Sequence, residues 1–267
     1  MTTASGELAQ PLLEALEVFA GSGRVLVALD FDGVLAPLVD DPMSAAPLPG
    51  SVAALQRLAG TSDVALVSGR ALADLRLLSR APAAAVLVGG HGTQCSLDGE
   101  DGGQVLTEAE ARLLARVTAQ LEEIAAAHEG VAVEHKPMSA VLHTRRADRA
   151  VAAEATRRAV DGPGSDPGVH CLRGKEVVEI AVVPLGKGAG LLRLRDRLAA
   201  AGPAVGAVLY AGDDVTDEDA FAALGEADVT VKVGPGETAA RFRVADPQGM
   251  ATLLTALADL RDAAAAR

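Results

Sequence analysis

The chain has 267 residues, and its 49% apolar content is enough for a sizeable core in one large domain or two smaller ones. Its 24 basic and 36 acidic residues give a formal charge of -12, which opposes binding of a phosphate backbone and argues against a nucleic-acid partner. Aromatic residues make up only 2%, so recognition of single strands by stacking lacks its usual side chains.

The first hundred residues alternate between amphipathic helices and short apolar strands. Helices are predicted at residues 7–20, 51–59 and 71–79, the second of them capped by Ser51. Strands are predicted at residues 24–29, 63–67 and 84–88. The strands carry few polar residues, as strands buried on both faces do. This alternation favours right-handed crossovers and a parallel sheet.

The pattern changes after residues 97–103, which are predicted to form a turn and a linker. Thr107 begins a long helix that reaches about residue 128, with Glu110 in the capping-box position. The predicted order is then two strands at 131–136 and 139–145, a helix at 148–160, and a hairpin of strands at 169–173 and 176–182. The repeated helix-strand-strand order predicts a small antiparallel α+β module inserted into the parallel fold.

The parallel pattern resumes near residue 186. A helix to about 201, a strand at 204–211, a further helix, a last strand at 228–233 and a closing helix at 247–265 are predicted. The fold class is therefore α/β, with a doubly wound, Rossmann-like parallel sheet. Residues 1–103 and 184–267 form its core, and residues 104–183 form the inserted domain.

The two cysteines and the hydropathy exclude further classes of protein. Cys95 and Cys171 lack the spacing of a thiolate metal site and are too few for a disulfide framework. No apolar stretch reaches the roughly 20 residues of a membrane helix, and no basic residue precedes Arg24 as in a secretion signal. We predict a cytoplasmic protein without membrane partners, and a monomer or weak homo-oligomer.

Reactive side chains follow the predicted parallel strands. Asp30 and Asp32 follow the first strand, Ser68 the second, and Asp213 the strand at 204–211. Ligands of open α/β sheets bind at the carboxyl ends of the strands, so these side chains are predicted to share a site. Taken singly, each has a structural explanation, since Asp-Gly and Ser-Gly are common turn pairs.

The set matches what phosphoryl transfer through an aspartyl-phosphate requires. Asp30 is assigned as nucleophile and metal ligand, and Asp213 as the second side-chain ligand. Asp32 is assigned as the acid that protonates the leaving oxygen and later activates water, with its backbone carbonyl also reaching the metal. Oxygen ligands of this kind favour Mg²⁺.

Further groups at the same edge complement this assignment. Lys187 opens a helix, and the ammonium group with the Ser68 hydroxyl is assigned to hold the phosphoryl oxygens. Asp214 and Asp217 either support the metal through water or orient Lys187. The acidic run at 213–219 also suits a helix N-terminus, which is its structural interpretation.

Four segments resemble, in order, the motifs of the haloacid dehalogenase-like phosphatases: Asp30-Phe31-Asp32-Gly33, Ser68-Gly69-Arg70, Lys187-Gly188 and residues 212–219. The inserted module resembles the C2 cap of that superfamily. Within it, the chain resembles the trehalose-6-phosphate phosphatases at residues 29–37, 90–92, 133–136, 139, 143–145 and 212–219. Val34 departs from this pattern, because the family more often has threonine there.

The resemblance implies hydrolysis of trehalose 6-phosphate with Mg²⁺, a cap that supplies polar groups to the sugar, and hinges near 101–104 and 183–186. The implied substrate-binding residues are Arg70, His91, Glu134, Lys136, Ser139, Arg145, Lys175 and Glu179. Glu134 and Lys136 share a strand face, as do Lys175 and Glu179 if their strand extends far enough back. From the residues alone, these charges also suit cross-strand ion pairs on a solvated sheet.

Two other functions stay open at this stage. Another sugar-phosphate phosphatase or a phosphosugar mutase would keep the same core chemistry and change only what the inserted module recognises. A catalytically idle, sugar-phosphate-binding regulatory subunit belongs to another class of protein, and the intact carboxylate set argues against it.

Overall fold

Helices and strands alternate in the first segment of the chain. The structure is a computed structural model and describes residues 8–99 and 106–266. The elements of the first segment are α1 (Gln10–Gly21), β1 (Val25–Leu29), α2 (Pro49–Leu58), β2 (Asp63–Val67), α3 (Leu72–Leu78), β3 (Val86–Gly89) and β4 (Gln94–Cys95). A 3-10 turn at Ser96–Asp98 begins the predicted linker, whose residues 100–103 lie outside the described part, as does the predicted hinge at 101–104.

The middle segment has the predicted helix-strand-strand repeat. It comprises α4 (Glu108–Ala126), β5 (Ala132–His135), β6 (Ser139–His143), α5 (Arg149–Asp161), β7 (His170–Gly174) and β8 (Val177–Ala181). The capping box at the start of α4 is confirmed, because the Thr107 side chain accepts from the Glu110 amide while the Glu110 carboxylate accepts from the Thr107 amide.

The last segment returns to the first pattern. It comprises α6 (Lys187–Ala201), β9 (Ala207–Gly212), α7 (Glu218–Ala223), β10 (Val229–Val233), β11 (Phe242–Val244) and α8 (Pro247–Ala265). Among the described residues, no helix combines the length and the apolarity required to cross a bilayer.

The chain divides into two compact units. One comprises Met1–Gly102 with Gly186–Arg267, and the other comprises Gly103–Leu185. The first unit contains a seven-stranded sheet in the order β11-β10-β9-β1-β2-β3-β4, in which only the short β4 is antiparallel to its neighbour. The second contains a four-stranded antiparallel sheet in the order β5-β6-β8-β7.

Helices cover both faces of the parallel sheet, which confirms the predicted fold class. Along β1, Val25, Val27 and Leu29 belong to the apolar cluster that includes residues of α1, α2 and α8. Leu26 and Ala28 belong to the opposite cluster with residues of α6 and α7. Because both faces are buried, β1 needs apolar residues without alternation.

The antiparallel sheet has one helix-covered face. Residues of α4 and α5, among them Val117, Leu121 and Ala155, pack with Leu142 and Ile180 of the strands. The opposite face carries the row Glu134, Val141, Glu179 and Leu172, which the strand register places side by side. Alternation along each strand thus separates a helix-packed apolar face from one that carries carboxylates beside apolar side chains.

Some predicted boundaries were wrong. Helix α2 starts at Pro49 after Leu48, since proline suits the first turn, and Ser51 lies buried inside the helix instead of capping it. The strand at 228–233 is not the last, because β11 pairs with it in parallel. Like β4, β11 is too short to show a period in the sequence.

Candidate active site

Three neighbouring parallel strands carry the predicted nucleophile and its partners. Strand β1 lies between β2 and β9, with Leu29 level with Leu66 and Ala211. Asp30, Ser68 and Asp213 each follow the last residue of one of these strands. The sheet order therefore places the Asp30 position between the other two.

Asp30 is a buried carboxylate with a donor on each oxygen. Its Oδ1 accepts from the Phe31 amide at 2.6 Å, and its Oδ2 accepts from Lys187 Nζ at 2.6 Å. Only 4% of the residue is exposed, and this burial raises the pKa of Asp30 to about 7, although the nearby ammonium favours the charged form.

Lys187 lies at the start of α6 with its side chain 3% exposed. Besides Asp30, its Nζ contacts Asp217 Oδ1 at 2.9 Å. Burial acts against the charged amine, but the carboxylates of Asp30 and Asp217 outweigh it and raise the pKa of Lys187. The site thus holds a buried cation between two carboxylates.

Asp217 anchors the loop after β9. Its Oδ1 accepts from Lys187 and from the Tyr210 hydroxyl at 2.6 Å, and its Oδ2 accepts from the amides of Asp213 and Asp214 at 3.1 and 3.0 Å. The residue is 0% exposed. Four donors occupy its carboxylate, so these contacts are those of a residue that orients Lys187, one of its two predicted roles.

The carboxylates can hold a hard cation. Oxygens of Asp30, Asp213 and Asp217 lie within 4.8 Å of one another. Burial, with the nearby Asp217 charge, raises the pKa of Asp213 to about 6. The Asp217 carboxylate already accepts four hydrogen bonds, so Asp30 and Asp213 are the better candidates for metal ligands. Their oxygen atoms suit Mg²⁺.

Gly33 permits this close approach. Its φ is +70°, and a Cβ at this position would lie 1.9 Å from Asp213 Oδ2. Any side chain there would displace the Asp213 carboxylate. The glycine after the first acidic pair therefore has a steric function as well as a conformational one.

We expect cation affinity to rise with pH. The pKa values of Asp30 and Asp213, about 7 and about 6, exceed the usual 3.8, so a cation must displace protons from both at low pH. Calorimetric titration with Mg²⁺ from about pH 5.5 to 8.5 should show an affinity that increases with pH and levels off above about pH 7.5. Below that pH, binding of Mg²⁺ should release protons. Equal affinity across this range would contradict the assignment.

The raised pKa values of Asp30 and Asp213 also determine how the stability of the metal-free protein changes with pH. The folded state binds these protons more tightly than the unfolded chain, so their contribution is complete below about pH 4 and is lost as pH rises through about 7. Thermal melts in a chelator should show this decline, and melts with Mg²⁺ should show less of it.

Asp32 and Arg70 form a two-pronged ion pair. Arg70 Nε donates to Asp32 Oδ2 at 2.6 Å and a terminal nitrogen donates to Oδ1 at 2.7 Å. The guanidinium also lies 5.4 Å from the centre of the Phe31 ring. This hydrogen bonding raises the pKa of Arg70 and fixes the orientation of the Asp32 carboxylate. Arg70 was predicted to bind substrate, and here it holds the predicted acid.

Ser68 and His91 occupy the other side of the site. Ser68 is 1% exposed, and its Oγ accepts from the Arg70 amide at 3.2 Å, which leaves the hydroxyl proton available for donation. The His91 amide donates to the Ser68 carbonyl, and the Gly186 amide donates to the His91 carbonyl. His91 therefore links the end of β2 to the start of α6 through its backbone.

One open cleft of about 630 Å³ collects these groups. The predicted site residues among its lining are Asp30, Asp32, Ser68, Arg70, His91, Lys187, Asp213 and Asp214. Leu38, Val39, Pro42 and Met43 add an apolar wall. The cleft has the charge pattern of a site for a metal-neutralised anion.

The predicted residues of the inserted unit form ion pairs. Glu179 accepts from Ser139 Oγ at 2.6 Å and from Lys136 Nζ at 3.2 Å. Glu134 contacts the His143 ring at 2.8 Å, and Arg145 donates to Glu176. These contacts agree with the ion-pair interpretation, and they place Lys136 beside Glu179.

The condition for Lys175 to share a strand face with Glu179 is not met. Strand β8 begins only at Val177, so Lys175 lies in the exposed hairpin turn and does not share a strand face with Glu179. The chain reverses at Lys175 and Glu176, where Glu176 adopts a φ of 62°. Extended strand geometry therefore cannot continue back to Lys175.

Two structural features of the site were not predicted from the sequence. Tyr210 contacts Asp217 from inside β9, and Gly33 makes room for Asp213. The signal for Tyr210 was a lone tyrosine in an otherwise aliphatic strand. Asp-Gly, in contrast, carries a general turn signal that hides its steric function.

Comparison with known proteins identifies the family. The family described as Trehalose-phosphatase matches residues 28–248. A trehalose-phosphate phosphatase of Mycobacterium marinum is 37% identical over 244 residues, which cover 88% of this chain and 62% of that protein. The corresponding protein of Mycobacterium tuberculosis is 35% identical over 247 residues, covering 89% and 62%. The chain thus spans 62% of the length of these curated relatives.

A solved structure supports the same grouping. Aspergillus fumigatus trehalose-6-phosphate phosphatase, in its crystal form 3, is 25% identical with a TM-score of 0.73, covering 97% of this chain and 100% of that one. Together with the family match over residues 28–248, this means that the chain belongs to the trehalose-phosphatase family.

Proposed function

We propose that the chain hydrolyses trehalose 6-phosphate to trehalose and phosphate with Mg²⁺. The observation that carries the proposal is the contact between Lys187 and Asp30, whose buried side chains lie 2.6 Å apart in a cleft that Asp213 and Asp32 also line. A buried carboxylate next to a fixed cation suits attack on phosphorus. Membership of the trehalose-phosphatase family supports the choice of substrate.

The first half of the reaction transfers the phosphoryl group to Asp30. A carboxylate oxygen of Asp30 forms a bond to phosphorus as the bond to the sugar oxygen breaks. For this step Arg70 must release one Asp32 oxygen, which then carries the proton that Asp32 gives to the leaving oxygen, and trehalose departs. Lys187 and Ser68 hold the phosphoryl oxygens by charge and by hydrogen bond.

The second half returns the enzyme to its starting state. Asp32, now ionised, takes a proton from water as the water oxygen bonds to phosphorus and the bond to Asp30 breaks. The two-pronged contact with Arg70 suits this ionised form. Held by Asp30 and Asp213, Mg²⁺ would supply positive charge that offsets repulsion between phosphate and carboxylate.

The inserted unit is proposed to act as a cap domain that recognises the sugar. The polar groups on the sheet face that its helices leave uncovered, among them Glu134, Lys136, Ser139 and Glu179, suit the hydroxyls of a disaccharide. A charged group in the site that finds no hydrogen-bond partner on the substrate costs much free energy. Substrates that lack the matching hydroxyls are therefore bound less well. Arg145, Lys175, His91 and Arg70 remain predicted contributors.

Replacement of Glu134 is expected to separate sugar recognition from chemistry. Glu134→Ala should lower kcat/KM for trehalose 6-phosphate about 10-fold to 100-fold, because a charged hydrogen bond to the sugar is lost. Hydrolysis of p-nitrophenyl phosphate, which has no sugar, should change by less than about 3-fold. Steady-state phosphate release on both substrates measures this.

Glu122→Ala is the matched control. Glu122 also contacts a histidine ring, His135, at 2.9 Å, and its side chain is 53% exposed against 52% for Glu134. Its removal should leave both substrates unaffected. Equal losses on the two substrates in Glu134→Ala would refute the sugar-reading role.

The cytoplasmic location and the monomer or weak homo-oligomer complete the proposal. They rest on the sequence alone.

A further inference from the structure

We propose that Tyr210 is a positioning residue that fixes Lys187 and the Asp213 backbone through Asp217. The inference rests on the proposed function, since it assigns Lys187 and Asp213 their roles. Tyr210 lies in β9, level with Ala28 of β1 and Thr230 of β10, and is 0% exposed. Its ring meets Phe221 edge-on, with centroids 5.7 Å apart.

The hydroxyl of Tyr210 has one partner among the described residues. It donates to Asp217 Oδ1 at 2.6 Å, a short contact to a charged acceptor in the interior. Leucine or phenylalanine would pack in such a site without an unmet polar group. A buried phenol is therefore explained by its hydrogen bond, not by its apolar area.

The acceptor atom is shared with Lys187. Oδ1 of Asp217 accepts hydrogen bonds from both Tyr210 and Lys187, while Oδ2 accepts them from the amides of Asp213 and Asp214. These four donors prevent the Asp217 carboxylate from rotating. The Tyr210 hydroxyl thereby limits how far the Lys187 ammonium is drawn from Asp30 towards Asp217.

Loss of the hydroxyl should act on catalysis through this chain of contacts. In Tyr210→Phe, Oδ1 keeps Lys187 as its sole donor among these groups, so the ammonium shifts towards Asp217. We expect kcat for trehalose 6-phosphate to fall about 5-fold to 20-fold, because the displaced ammonium stabilises the transition state less well. KM should stay within about 2-fold of the wild-type value.

Phe221→Leu is the structural control. It removes the ring contact with Tyr210 but leaves the hydroxyl in place, so it should lower the melting temperature and keep kcat within about 2-fold. A Tyr210→Phe enzyme with unchanged kcat would overturn the proposal. An equal fall in kcat for Phe221→Leu would also overturn it, since packing would then explain both.

Tyrosine emission provides a readout that does not depend on turnover. The chain has one tyrosine and no tryptophan, so its emission comes from Tyr210. Addition of Mg²⁺ with orthophosphate should change that emission, because bound phosphate draws Lys187 away from the oxygen that Tyr210 shares.

The two readouts separate this inference from the proposed function. If the emission changes and no sugar phosphate is hydrolysed, the coupling stands and the proposed function fails. If the protein hydrolyses trehalose 6-phosphate and its emission does not respond, the coupling through Asp217 is contradicted.

Discussion

Asp30→Asn is expected to reduce phosphate release from trehalose 6-phosphate by about 10⁴-fold or more, because the amide cannot attack phosphorus. The substitution keeps the shape of the side chain, and its oxygen can still accept the Phe31 amide bond. The other position would bring an NH₂ group against Lys187, so we expect a loss of stability of about 1–3 kcal/mol. Lys187 retains Asp217 as its partner.

Phosphate release and a thermal melt on the same preparation test this expectation. Asp40→Asn serves as control, since it makes the same change of charge at an exposed aspartate of the following loop. It should leave turnover unaltered. Near-normal turnover in a folded Asp30→Asn protein would remove Asp30 as the nucleophile.

Gly33→Ala is expected to weaken cation binding by about 10-fold to 100-fold and to lower turnover at limiting Mg²⁺. The new methyl group would lie 1.9 Å from Asp213 Oδ2, so the carboxylate has to move. The φ of +70° adds strain of about 1–2 kcal/mol for a residue with a Cβ. Calorimetric titration with Mg²⁺ measures the first effect, and a thermal melt measures the second.

Gly234→Ala separates the clash from the strain. Gly234 has a φ of +82°, but a Cβ there would meet nothing within 4 Å. It should lose stability to a similar extent and keep its Mg²⁺ affinity. If both variants lose affinity alike, general destabilisation explains the result and the steric role of Gly33 is wrong.

Local sequence patterns were sufficient to predict most of the fold. An unbroken apolar run such as Val25–Leu29 is informative because both faces of a central parallel strand are buried. Once the strands are parallel, their carboxyl ends share an edge, so Asp30, Ser68 and Asp213 could be grouped before any distance was known. Thr107 and Glu110 similarly indicated a helix start, because the residues of a capping box are only three positions apart in the sequence.

Side-chain partners distant in the sequence were not predictable in this way. Arg70 reaches back 38 residues to Asp32, and Lys136 reaches forward 43 residues to Glu179. Such pairs depend on how strands are ordered and how side chains turn, which no local period records. Tyr210 was missed for a related reason, because an apolar strand predicts packing and gives no sign of a hydroxyl partner.

Phosphate release by the wild-type chain from trehalose 6-phosphate, sucrose 6-phosphate and glucose 6-phosphate, each with Mg²⁺ and with a chelator, tests the central claim most directly. We expect kcat/KM for trehalose 6-phosphate to exceed the others by about 100-fold, because several hydroxyl contacts discriminate together, and to be lost with the chelator. No release from any ester, or equal release from all three, would contradict the proposed function.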